Sequence, residues 1–337
     1  MTKSEIDPKR FLSKKRLKQA LMLVGILLIT LAFSGCEKLV ETDVSAETYV
    51  QTTNFETEIA KVSTEVTIHE NTKAAIEPII EESLNSLNVI VTSESDFEDI
   101  LNYPNTETLY LDLTQADTYI NNTDVLLKMT KVKELIVQGT IDLKYVSEMK
   151  SLETLHISYF NGNFKSIEKN NTIKKIIIDE VYTDTIDGIQ NLTMLEEFSA
   201  SHIRFDDRSA LEEITTLKTL SFFMDETPLI DMSFICNLNN LEKFGCYALN
   251  NIENAECIGN CTELVYLSLN AHIENIDFVE NLNKLRIFEL YTSNNNIYNI
   301  EVLGNCSELG DVSLFCNYSY ESLNLLKKLL PECKFNT

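Results

Sequence analysis

Catalysis and metal binding need nucleophiles, acid–base groups or ligating atoms at set spacings, so the eight cysteines and four histidines come first. The histidines stand at 69, 156, 202 and 272, with no His-x-x-x-His pair among them. Cys257 and Cys261 lie four apart, but no second Cys pair or His stands beside them, and zinc sites need two such ligand pairs. No nucleophile elbow, phosphate loop or dinucleotide fingerprint occurs, and no Asp-x-Asp-x-Asp-Gly loop presents itself to calcium. Carboxylates are abundant, 52 acidic residues against 28 basic, so a close Asp/Glu pair is expected by chance. The sequence therefore predicts no enzyme, no metal and no cofactor. Its formal net charge of −24 also excludes a nucleic-acid partner, because phosphates require a basic footprint.

What remains is binding chemistry, carried by aromatic side chains. Phe223, Tyr247, Tyr266, Tyr291 and Phe315 recur once per stretch of similar length in a chain without Trp. The elements that position them follow from an internal repeat. The pattern apolar-x-x-apolar-x-apolar begins at Val132, Leu152, Ile173, Leu195, Leu217, Leu241, Leu264, Leu285 and Leu309, at intervals of 20 to 24 residues. Weaker units begin at Thr106 and Leu84. Six residues before each start is a second apolar column, which includes Leu126, Val146, Ile167, Ile189, Ile258 and Leu303. Three before each start is a third, broken only by Asn170. A period of two followed by a period near three predicts a strand and then a helical or 3₁₀ turn in every unit.

These units resemble the leucine-rich repeat in its internalin-like form, with a period near 22 residues, and the Leu329-Leu330-Pro331-Glu332-Cys333-Lys334 ending is similar to that of bacterial members. The resemblance covers about residues 84–337. It implies an α/β leucine-rich repeat solenoid, with a parallel sheet on the concave face and short helical or 3₁₀ segments on the convex face. One feature departs from the family. The ninth position, where the family has an Asn that bonds the turn backbone, reads Thr140, Phe160, Val181, Ile203, Asp225, Leu249, His272 and Ser293, and only Asn317 fits. The array also needs caps. Ser93–Tyr103 is expected to close the first rung, with a helix start at Ser93-x-x-Asp96, and Ser322–Leu330 the last.

In such a strand, positions 2, 3, 5 and 7 lie towards the concave surface. Position 2 alternates in charge through Glu107, Lys133, Glu153, Lys174, Glu196, Lys218 and Glu242, which suits cross-strand pairing. Position 7 is polar in the early rungs, at Asp112, Gln138, Ser158, Asp179 and Ser201, and then becomes Phe223, Tyr247, Asn270, Tyr291 and Phe315. Position 3 contributes Tyr266. Aromatic residues in slots meant for water mark an interface, so these five are the candidate ligand-binding residues. A protein ligand is expected first; a glycan is the alternative, and a passive envelope component the third reading.

The N-terminus reads as an address. Lys14, Lys15, Arg16 and Lys18 precede a 14-residue apolar run from Ala20 to Phe33, too short to span a bilayer and suited to a signal-peptide core. Phe33-Ser34-Gly35-Cys36 resembles the lipobox of bacterial lipoproteins, with Phe33 where Leu is usual. The resemblance implies cleavage after Gly35 and a lipid on Cys36, hence an extracytoplasmic membrane anchor. Losing residues 1–35 removes seven basic and two acidic side chains, leaving a net charge of −29. Residues 36–83 are expected to be an acidic tether, with Val62, Thr64, Val66 and Ile68 as the one stretch that alternates like a strand. Of the other cysteines, Cys246, Cys261 and Cys306 fall in core columns and are expected as buried thiols, while Cys316 and Cys333 are the least constrained and are free to pair.

Overall fold

The computed structural model describes residues 85–116, 120, 123–160, 164–181, 183, 185–202, 208–224 and 229–337. The signal peptide, Cys36 and the tether lie outside them. The strands are β1 (Ser86–Ile90), β2 (Thr108–Asp112), β3 (Glu134–Gln138), β4 (Thr154–Ser158), β5 (Lys175–Asp179) and β6 (Glu197–Ser201). They continue as β7 (Thr219–Met224), β8 (Leu229–Asp231), β9 (Lys243–Glu253), β10 (Tyr266–His272), β11 (Ile287–Ile297), β12 (Asp311–Tyr318) and β13 (Lys334–Asn336). All pair in parallel and in chain order, apart from β8, which lies off this path and pairs with the far end of β9, and the sheet is open.

The repeat columns explain this order. Leu135 lies in register with Leu155, Leu155 with Ile176 and Ile176 with Phe198, each fully buried. The second column closes the core from the other side, with Leu126, Val146, Ile167, Ile189, Ile258 and Leu303 also at 0 % exposure. Those residues sit in single 3₁₀ turns such as Asp124–Lys128, Leu143–Glu148 and Ala255–Asn260. A short turn suffices because a rung needs only to carry the chain back to the start of the next strand. Two apolar layers then face each other along the solenoid, and each rung gains its burial from its neighbours.

Helices stand in the first described rung and before the last strand. α1 (Glu94–Asp99) is fastened by Asp96, whose Oδ2 accepts from the backbone N–H of Thr92 at 2.9 Å and of Ser93 at 3.0 Å; Phe97 and Ile100 are buried beneath. One helical turn, α2 (Ser209–Glu212), stands in for a 3₁₀ segment. α3 (Tyr320–Leu329) begins at Ser319, whose side chain accepts from the Ser322 N–H, buries Leu323 and Leu326, and leads to the edge strand β13.

Asn170, the outlier of its column, is 3 % exposed and bonds two successive rungs. Its amide donates to the carbonyls of Val146 and Met149, at 2.9 and 3.2 Å. Its Oδ1 accepts from the N–H groups of Thr172 and Ile173. It supplies at one rung the backbone satisfaction that an Asn ladder would give. In two rungs the ninth slot turns inward as an ordinary apolar residue, Phe160 and Val181, both buried.

Cys316 and Cys333, whose positions left them free to pair, are free thiols, and among the described residues a disulfide joins Cys236 to Cys257, 21 residues apart on consecutive convex turns. Cys246, Cys261 and Cys306 are buried free thiols, as their columns require. Burial pushes the Cys246 and Cys261 thiols up to about 12, which removes them from thiolate chemistry.

Candidate functional site

Strand length changes midway along the sheet, and the backbone shows why. In the rungs of β3 to β6 the eighth position is left-handed: Gly139 at φ 109°, Tyr159 at 58°, Glu180 at 48° and His202 at 51°. Such a residue ends the strand after five pairs. The eighth position of β9, β10 and β11 is instead Ala248, Ala271 and Thr292, all buried and all still within the strand. β9 therefore runs on to Glu253, and its left-handed residue is Asn254, a type that tolerates the conformation. The later strands present a taller concave surface.

The seventh positions form one row across it, Ser201–Phe223–Tyr247–Asn270–Tyr291–Phe315 in register. Four of the five candidates stand in that row. Phe223 and Tyr247 stack with ring centroids 6.1 Å apart and planes at 28°. Tyr291 and Phe315 stack at 4.8 Å and 7°. Phe315 is 52 % exposed; the other three are partly covered by one another.

Tyr266, expected on the open surface, is 3 % exposed. Its neighbours on that face, Gly245 and Ser268, are small and themselves buried, and its hydroxyl crosses to β11 and donates to Glu289 Oε2 at 2.8 Å. It braces the site from below rather than lining it. Tyr247 Oη and Ser268 Oγ form a second link, at 3.1 Å. Burial, with Glu289 adding to it, raises the Tyr266 hydroxyl and pushes that of Tyr291 up to about 12. The tyrosines are neutral hydrogen-bonding groups at any physiological pH.

Glu289 was not singled out by the sequence. It lies at position 5, between Ser268 and Ser313 in register. A carboxylate flanked by two serines in that column was the available signal.

The early rungs carry a different arrangement. Ser201 Oγ donates to Asp179 Oδ1 at 2.5 Å, and His202 Nδ1 lies 3.1 Å from the same oxygen. Ser, His and Asp are together, with the serine hydroxyl directed at the same carboxylate oxygen that the imidazole meets. Burial lowers the His156 pKa, against the pull of Asp179. The position-2 charges pair between neighbouring rungs, Lys133 with Glu107 at 3.1 Å, Lys174 with Glu153 at 3.0 Å and Lys218 with Glu196 at 3.1 Å. Among the described residues no group of three or more His, Cys, Asp or Glu is placed to hold a metal, and no helix is long and apolar enough to cross a membrane.

No family model matches the chain, and no curated protein does. Solved structures do. An internalin from Listeria monocytogenes is 19 % identical with a TM-score of 0.53, over 75 % of this chain and 80 % of its own. A leucine-rich repeat protein of Leptospira interrogans is 18 % identical with a TM-score of 0.55, over 75 % and 72 %. The mouse RP105/MD-1 complex gives 16 % identity and a TM-score of 0.58, over 75 % of this chain and 47 % of that one. Together with the ordered parallel sheet and its 3₁₀ turns, these likenesses show that the fold is a leucine-rich repeat solenoid.

Proposed function

We propose that this is a bacterial surface protein, tethered by a lipid on Cys36 to the extracytoplasmic face of the cell membrane, whose repeat domain binds another protein with the late rungs of its concave face. The observation that carries this reading is the row of Phe223, Tyr247, Tyr291 and Phe315 on the sheet face opposite the core. Solenoid packing requires no rings there, and aromatic side chains anchor interfaces at low entropic cost. A structural disulfide suits an oxidising compartment, which supports export. The mouse neighbour, solved in a complex with MD-1, supports a protein as the ligand class.

Crosslinking on intact cells tests it, followed by binding measurements with whatever is captured. A double Tyr247→Ser, Tyr291→Ser variant is expected to keep its melting temperature and lose about thirty-fold in affinity, the equivalent of roughly 2 kcal/mol. Normal binding by that variant refutes the concave site, and capture of a glycan in place of a protein moves the reading to carbohydrate recognition. Cys36→Ala is expected to leave the membrane fraction or to accumulate as precursor. Mature mass and detergent partitioning like the wild type would remove the anchor from the proposal.

A further inference from the structure

The two ends of the sheet are closed to different degrees. At the late end the outermost strand is β13, and Phe335 on it stays partly exposed, as expected where one flank has no neighbour. At the early end the outermost described strand is β1, which pairs with β2. Its inward side chains, Leu87 at 0 % and Val89 at 1 % exposure, are as closed as Leu109 and Leu111 one rung further in. α1 does not account for this, because it follows β1 within the same rung, and Ile100 after it fills the second apolar column of that rung. A terminal rung with nothing outside it keeps part of its core in water. Chain before residue 85 must therefore lie against β1.

The backbone of β1 points the same way. Asn85 O accepts from the N–H groups of Glu107 and Thr108, and the Val91 N–H donates to Asp112 O. The odd-numbered residues thus turn to β2. In a parallel strand the even-numbered ones turn the other way, so the N–H groups of Asn88 and Ile90 face out of the sheet edge. Such an edge is a template for another strand.

The sequence just upstream offers one. Ser63, Val66 and Ile68 repeat the spacing of Thr106, Leu109 and Leu111, with a hydroxyl residue in the first slot of both. That unit starts 21 residues before Leu84, within the 20 to 24 that separate the nine strong units. Ile76 and Ile79, three apart like Leu143 and Val146, supply apolar residues for the return. The compact unit that holds the solenoid begins at Val62.

We infer that residues 63–68 form a further strand, parallel to β1 on its open edge, with Val66 beside Leu87 and Ile68 beside Val89. The array gains a rung, and an edge that would recruit a second copy is occupied by the chain itself. The acidic spacer shortens to residues 37–62.

The test is hydrogen exchange on the purified full chain, read at single amides. The N–H groups of Asn88 and Ile90 are expected to exchange at least about a hundredfold more slowly than unstructured amides. A Val66→Asp, Ile68→Asp variant is expected to lose that protection, while Leu267 and Leu269 in β10 keep theirs. Thr67→Asp, His69→Asp adds the same two carboxylates at the alternate positions of the strand and is expected to change neither. Fast exchange at Asn88 and Ile90 in the wild type overturns the inference, because the edge is then open. Protection that survives Val66→Asp, Ile68→Asp overturns it too, since another segment then covers β1. Equal loss in Thr67→Asp, His69→Asp reduces the effect to added charge and removes the register. Protection that fades on dilution, together with a dimer mass, assigns the edge to a second copy of the chain instead.

Discussion

The rungs of β3 to β6 and those of β9 to β12 bury the same columns and finish their strands differently. In the first group a left-handed eighth residue stops each strand at five, the seventh position is polar, and Ser201, Asp179 and His202 bond among themselves. In the second group a small or buried eighth residue lets the strand run on, the seventh position is aromatic in every rung but that of Asn270, and among the described residues Glu289 has no cationic partner. The early surface is internally satisfied, so a ligand there would have to displace bonds already made. The late surface has rings half in water and a carboxylate with spare acceptor capacity. A repeat architecture allows this division because core and surface occupy alternating positions of the same strand, and one set can change without the other.

If the two groups share one core, equivalent truncations must cost alike. Leu155 in β4 and Leu267 in β10 fill the same slot and are both at 0 % exposure. Each changed to Ala is expected to lower unfolding free energy by about 2–5 kcal/mol in denaturant melts. A loss at one site several times that at the other would mean the groups are separate folding units and not one array.

The disulfide breaks the equivalence on one side only. Cys236 and Cys257 tie the convex turns that precede β9 and β10, closing a segment of about 21 residues. Chain-entropy reasoning puts such a link at about 3 kcal/mol. A Cys236→Ser, Cys257→Ser variant is expected to lose roughly that much and to become insensitive to reducing agents. Native-state hydrogen exchange should show faster opening in the late rungs, with the early rungs little changed. Uniform loosening along the whole sheet would argue against a local role.

Much of the scaffold was legible because burial in a solenoid depends on size and hydrophobicity at fixed spacing. That logic placed Leu126 and Leu303 and also Cys261 and Cys306, whose thiols behave as small apolar groups. It failed where an outcome depended on neighbours one rung away. The burial of Tyr266 follows from Gly245 and Ser268 being small, a fact about adjacent strands that its own unit does not contain. The disulfide was hidden because its cysteines are offset by two places in their columns, Cys236 five residues before Leu241 and Cys257 seven before Leu264. Asn170 looked like a flaw in its column and is instead a four-bond connector, since an amide that satisfies four backbone groups is tolerated where a leucine is usual. The aromatic row was visible by position, and its stacking into two pairs was not, because stacking depends on register.

The smallest effect concerns the charge ladder, which distinguishes pairing from recognition. Lys174 and Glu153 meet at 3.0 Å with both side chains about half exposed. Water screens such a pair, and holding two long side chains in one geometry costs rotamer freedom, so exposed pairs are worth about 0.2–1 kcal/mol. Lys174→Ala is expected to cost less than about 1 kcal/mol, and the difference from wild type should shrink in 1 M salt, where the screening length falls to about 3 Å. The same substitution lies in the early rungs, whose surface is already satisfied, and should leave partner affinity unchanged within about twofold. A large drop in affinity without a matching drop in stability would show that the ladder contacts the ligand, and would move the binding surface off the aromatic rungs onto the charged ones.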